Sequence, residues 1–347
     1  QVLFEDMNGY GDDMQWGDGD IRNFDLSLNR FLIQFYCMNA GVYYKWDDDK
    51  PQNKRAYQNM LRAAMRYLSV RITYIFKDVW RIIFGGMPSG ALSTSHGDSW
   101  IMAFLYWWFV AWVCDANPSR KSDIMRAYAH KQIRAIFYGD DHIVGAPRSI
   151  YGLIGEKEFV RFLYKFFDMD SKDVRDDIPL LSVVGIGGNL FVRGAVFLKR
   201  HLVPRPPHMR CDTKIVPFRP ITDYYAKVPF GSTDRKSAYD IMLSCIGMCY
   251  DNMGTNLVAH QFLRYIFDRV RTSARITCQS FRAHFIKMGA AAETKDVSRM
   301  LRKSNISLVD LLVGMPTLET LDSMHKFDKD YVNYRASDDS MTSFTEW

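Results

Sequence analysis

The sequence has few of the features that would tie it to a disulfide, zinc or membrane class. Its 347 residues hold six cysteines, Cys37, Cys114, Cys211, Cys245, Cys249 and Cys278, with no C-x-x-C pair among them. That pattern gives neither a disulfide framework nor a zinc spacing. The cysteines read as buried free thiols, with Cys245 and Cys249 on one helical face, and imply a reducing compartment. No uncharged run reaches the ~20 residues that cross a bilayer. Residues 100–114 are apolar and uncharged but too short, so a buried helix is expected and no transmembrane segment. The first six residues lack a basic start, an apolar signal core and an initiating Met, which suggests a piece cut from a longer chain. There is no internal repeat, so no solenoid.

Charge of neither sign dominates. Lys and Arg number 45 against 39 Asp and Glu, for a net charge of +6, which permits a polyanionic partner without requiring one. Hydrophobic residues at 48% and charged residues at 24% supply a sizeable core and argue against bulk disorder.

Along the chain, residues 1–19 are acidic and Gly-rich and read as a loop. A short extended stretch ending at Asp20 leads into a helix over 26–40. Residues 53–83 show helical spacing, with Arg55, Arg62, Arg66 and Arg71 among apolar positions. A Gly-rich loop at 85–90 opens the apolar helix. A strand–turn–strand signal covers 133–144, a helix follows over 156–167, and 191–202 reads as a hairpin bent at Gly194. Past the prolines at 204–207 comes a Pro-containing linker near 216–232, then mostly helix to about 327 and a polar tail over 328–347. Mixed elements followed by helices predict an α+β domain and then a helical one.

Four carboxylates carry the chemistry. Asp140 and Asp141 sit in a tight turn between two apolar strands, where adjacent negative charges repel unless a cation joins them. Mg²⁺ takes such oxygen ligands, and a pair of these ions about 3.5–4 Å apart serves in-line phosphoryl transfer. An Asp-Asp pair is also simply a good turn dipeptide. Tyr-Gly-Asp-Asp occurs twice, at 10–13 and at 138–141. Only the second copy has flanking strands, so the first reads as a solvated loop. Asp20 and Asp25 form a further pair, and Asp25 suits a helix N-cap equally well.

In order, these segments resemble the RNA-dependent RNA polymerases of positive-strand RNA viruses, most closely the picornavirus-like superfamily. Asp20-x4-Asp25 followed by Leu26-Ser27-Leu28 resembles motif A. Gly85-Gly86-Met87-Pro88-Ser89-Gly90 with Thr94 resembles motif B, Tyr138-Gly139-Asp140-Asp141 motif C, and Phe197-Leu198-Lys199-Arg200 the primer-grip motif E. The stretch from Ser232 to Leu263 is similar to the start of the thumb. The resemblance spans about residues 18–265.

It implies a right-hand polymerase: a palm of antiparallel sheet and helices over 20–203, a partial fingers segment inserted at about 41–85, and a helical thumb over 204–327. Asp20, Asp140 and Asp141 would be the metal ligands for two Mg²⁺ ions, with Mn²⁺ able to replace them. Asp25, Ser89, Gly90, Thr94 and Asp98 would surround the incoming ribonucleotide. Lys172 would protonate the leaving pyrophosphate, and Phe197, Leu198, Lys199 and Arg200 would hold the primer. The partners implied are an RNA template and product duplex, ribonucleoside triphosphates and other viral replication proteins, in replication complexes of the host cytoplasm. Arginines at 264, 269, 271, 275 and 282, with Lys287, lie among aromatics and suit either the solvated face of an amphipathic helix or contact with duplex phosphates.

Two departures stand out. Asp98 occupies a position where the superfamily carries Asn, and resembles there some partitivirus-like polymerases of double-stranded RNA viruses, which carry Asp. The basic fingers motifs that should precede motif A are missing, so an incomplete polymerase is expected. The alternatives are an inactive fragment, an RNA-binding module derived from such an enzyme, or a reverse transcriptase. The last would share the three aspartates but lacks the Ser-Gly-x3-Thr pattern found at 89–94.

Overall fold

A computed structural model describes residues 13–40, 51–76, 79–87, 94–211, 213–230, 237–287 and 314–322. It is an α+β protein with antiparallel sheets. The described residues up to Leu180, together with 194–199, form one compact unit, and 181–193 with Arg200 onward form a second.

The first unit is built on strand β1 (Met14–Ile21). Helices α1 (Phe24–Ser27), α2 (Arg30–Ala40) and α3 (Pro51–Ser69) follow, then the hairpin of β2 (Val70–Phe76) and β3 (Val79–Phe84). Next come α4 (Thr94–Ala116), α5 (Lys121–Ala129), β4 (Arg134–Tyr138), β5 (Asp141–Pro147), α6 (Arg148–Ile154), α7 (Glu156–Phe167) and β6 (Ser171–Ile178). The main sheet has the order β4-β5-β1-β6, so β1 is interior, antiparallel to β5 on one side and β6 on the other.

Helix α4 is apolar all round, which suits a helix pressed on a sheet. It buries Ile101, Met102, Leu105, Tyr106, Phe109, Val110 and Val113 against α7 and the sheet, where Phe159 meets the edge of the Tyr106 ring at a centroid distance of 5.2 Å. By length and composition alone this helix could cross a membrane, but its place is in the core of the unit.

The second unit begins with β7 (Val183–Val184) paired to β8 (Leu190–Val192). After β9 (Val196–Phe197), which belongs to the first unit, β10 (Arg200–Pro204) pairs with β11 (Ile215–Phe218). Helices α8 (Ile221–Phe230), α9 (Ala238–Asn252), α10 (Leu257–Ser273) and α11 (Cys278–Lys287) complete it. Its core joins Ile221, Tyr224, Met242, Cys245, Cys249, Leu263 and Phe281. Helix α9 starts in a capping box between Ser237 and Asp240, and the Asn256 side chain caps α10 by accepting from the Ala259 N–H.

Four sequence expectations are corrected. Residues 14–19 are not loop but most of β1, with residues 16–19 buried. The helix expected over 53–83 ends at Ser69 and gives way to the β2–β3 hairpin, because the alternating β-branched and aromatic residues of 70–84 favour a pleated strand. The bend expected at Gly194 falls instead at Leu198 and Lys199, both left-handed with φ of 51° and 59°. The linker near 216–232 contains β11 and α8.

Candidate functional site

The site grows from the ends of β1 and the β4–β5 hairpin. Asp20 is the penultimate residue of β1. Tyr138 and Asp141 pair across the hairpin, leaving Gly139 and Asp140 in the turn. Gly139 takes a φ of +64°, a conformation that costs a residue with a Cβ strain and costs glycine little. Its N–H donates to Ser99 Oγ at 2.8 Å, so α4 braces the turn.

This geometry brings the carboxylates together. The Asp20 side chain meets that of Asp140. Burial, reinforced by the Asp20 carboxylate, pushes Asp140 above the ordinary carboxylate range, and the same two causes raise Asp141. Two cations face the group. Lys172, on the neighbouring strand β6, places Nζ 3.3 Å from Asp20 Oδ2, and Lys199 at the tip after β9 lies close enough to Asp141 to oppose its rise. Asp20, Asp25, Asp140, Asp141, Lys172 and Lys199 line one cleft of about 680 Å³.

The Gly-rich segment at 85–87 enters beside Asp25 and Leu28. The Met87 N–H donates to the Asp25 carbonyl at 2.6 Å, and the Gly86 N–H to the Leu28 carbonyl at 2.7 Å. Ser89 and Gly90 lie outside the described residues. Thr94 is the first residue of α4 and is half-buried, with Asp98 one turn on. Asp98 is 5% exposed, and its Oδ1 is buried without a hydrogen-bond partner among the described residues. Burial, then the charges of Asp25 and Asp140, push its pKa up to about 7. Arg22 does not neutralise it, since that side chain pairs with Asp170 at 3.7 Å. Asp25 is not a helix cap, because the N-cap position of α1 is Asn23.

Of the residues expected to hold a primer, Phe197 is half-buried in β9 and Leu198 is exposed. Lys199 belongs to the carboxylate cleft. Arg200 lies in the second unit and is engaged by Asp251. Of the other Tyr-Gly-Asp-Asp copy, residues 10–12 lie outside the described residues, and Asp13 is exposed just before β1, at the end of that strand remote from Asp20.

Two buried ion pairs under the site escaped the sequence reading. Asp18 is gripped by Arg175, whose Nε lies 2.9 Å from Oδ1 and whose Nη2 meets Oδ2. Asp18 Oδ2 also accepts the Val196 N–H at 2.7 Å, which ties β9 to β1. His142, next to Asp141, is fully buried against the equally buried Glu156. Neither Asp18 nor Glu156 carries a motif around it that could have marked it.

As a cation site, the cluster offers oxygen donors only, the preference of Mg²⁺. The raised Asp140 and Asp141 carboxyls are what crowded, partly buried like charges show. Among the described residues, no three His, Cys, Asp or Glu side chains stand at mutual ligand spacing. Asp20 and Asp140 meet, while Asp20 also leans on Lys172. No protein-family model matches the chain, and no curated protein matches it.

Proposed function

We propose that this chain is the palm and thumb portion of an RNA-dependent RNA polymerase, which adds ribonucleotides to an RNA 3′-hydroxyl under the direction of a template. The observation that carries the reading is the meeting of Asp20 and Asp140 from separate β-elements, with Asp141 adjacent and Lys172 on the next strand. A turn dipeptide without a role would not require a partner carboxylate from another strand, still less one that raises its pKa.

In this reading Asp20, Asp140 and Asp141 hold two Mg²⁺ ions, or Mn²⁺, which when bound neutralise the triphosphate and favour ionisation of the attacking hydroxyl. The chain's own residues do the rest. Lys172, whose Nζ donates to Asp20 Oδ2 at 3.3 Å, would protonate the departing pyrophosphate. Asp25 and Asp98, with Thr94 at the start of the same helix, form the polar wall for the ribose. A carboxyl near pH 7 in its titration can donate to a 2′-hydroxyl, and a sugar lacking that hydroxyl leaves the buried oxygen unpaired. Lys199 adds positive charge for phosphate at the cleft rim.

The test is single-nucleotide addition to an RNA primer by the complete polymerase with Asp140→Asn, alongside RNA binding by fluorescence anisotropy. Addition should fall at least ~10³-fold with binding nearly unchanged, because transition-state stabilisation is lost and backbone contacts are not. Near-normal addition would refute the assignment.

A further inference from the structure

His142 and Glu156 are the best-defined polar pair in the first unit, and the reaction as described makes no use of them. Both side chains are fully buried. His142 Nε2 lies 3.0 Å from both Glu156 carboxylate oxygens, and Nδ1 lies 2.9 Å from the Asp140 carbonyl oxygen. A carbonyl oxygen only accepts, so Nδ1 donates to Asp140, and Glu156 holds the other side of the ring at Nε2.

The surroundings are shaped to this pair. The Phe137 ring stacks on His142 at 6.2 Å, and Phe159 meets it edge-on at 5.6 Å. Across the sheet Gly19 lies opposite His142. A Cβ on Gly19 would fall 3.0 Å from the imidazole ring and would overlap the Glu156 carboxylate. The missing side chain of Gly19, the residue before Asp20, therefore leaves the space the pair occupies. Glu156 opens α7, so a helix, a strand and the carboxylate turn are joined through one ring.

We propose that Glu156 and His142 are positioning residues, a buried hydrogen-bonded strut that fixes the Asp140 backbone so that its carboxylate faces Asp20. The proposal rests on reading Asp20 and Asp140 as a divalent-cation site. A carbonyl anchor sets the height of the turn without touching substrate or cation. Groups that orient a ligand in this way typically affect metal affinity by 10–100-fold when altered.

The experiment measures Mn²⁺ affinity of the full chain by electron paramagnetic resonance of the free ion, for wild type, Asp140→Asn and Glu156→Gln, with folding checked by near-UV circular dichroism. Asp140→Asn should weaken binding strongly. If it does not, the cation site itself is wrong. If it does, Glu156→Gln should weaken binding about tenfold, since the carboxylate that aims the ring is gone. A folded Glu156→Gln with wild-type affinity overturns the strut. Should Glu156→Gln fail to fold, His142→Asn is compared with His142→Leu. The amide of the first can still donate to the Asp140 carbonyl, so it should bind Mn²⁺ more tightly than the second, and equal affinities overturn the proposal.

Discussion

Buried charge is handled in opposite ways by the two units. In the second, Asp251 stands between two arginines: Arg219 Nη1 is 2.8 Å from Oδ2, and Arg200 Nη2 meets Oδ1. Arg219 is buried, and each charge has an opposite one beside it. In the first unit Asp20, Asp98, Asp140 and Asp141 press against each other, and burial with mutual repulsion raises the last three. A compensated network holds a fold together. Repelling carboxylates weaken it, and they persist in folded proteins mainly where a ligand relieves them. The contrast separates scaffold from site without any motif.

The largest effects should therefore have opposite signs in the two units. Asp251→Ala leaves the buried Arg219 with only the looser Asp223 contact at 3.8 Å and should cost about 3 kcal/mol in denaturant unfolding. Asp140→Asn removes one of the repelling charges and should, without divalent cations, stabilise the protein by about 1 kcal/mol. If both variants destabilised alike, the contrast would collapse.

Asp98 gives a pH signature. Its folded pKa, about 7, lies above the ordinary 3.8, so the folded state holds a proton that the unfolded chain releases. The stability this confers is full below pH 3.8 and is lost as pH rises toward 7. Asp98→Asn should match wild type in acid and exceed it by about 3 kcal/mol at pH 8. Parallel melting-temperature profiles against pH would show that Asp98 is not held protonated.

The smallest effect belongs to the turn. Around Gly139 a Cβ has open space, but its φ of +64° remains unfavourable to alanine. Gly139→Ala should cost about 1 kcal/mol, with no loss of the core signal in near-UV circular dichroism. A loss several times larger would mean that the turn is packed more tightly than the space around Gly139 allows.

What was legible in the sequence follows the same division. The β4–β5 hairpin could be read because apolar strands flank a turn, and α7 because its buried and exposed residues alternate at helical spacing. Strand β1 could not. Met-Gln-Trp-Gly-Asp-Gly-Asp looks like a loop, and it is a buried strand only because Arg175 neutralises Asp18 and the Glu156–His142 pair fills the room left by Gly19. Those partners lie more than a hundred residues away. The β2–β3 hairpin was locally signalled by Val70, Ile72, Tyr74 and Phe76, but the arginine spacing of α3 runs on into it and disguised the change of period. The convergence of Asp20 with Asp140 rested on motif order in the sequence. In the structure it rests on β1 and β5 being neighbours in one sheet.

Proton release on Mg²⁺ binding tests the central claim most directly. Isothermal titration of the chain at pH 6, in two buffers of different ionisation enthalpy, counts the protons displaced. If the Asp20–Asp140 pair holds a proton in place of a cation, Mg²⁺ should expel it from wild type, and Asp20→Asn should neither bind tightly nor release it. Mg²⁺ binding with no proton release, or unchanged by Asp20→Asn, would contradict the account.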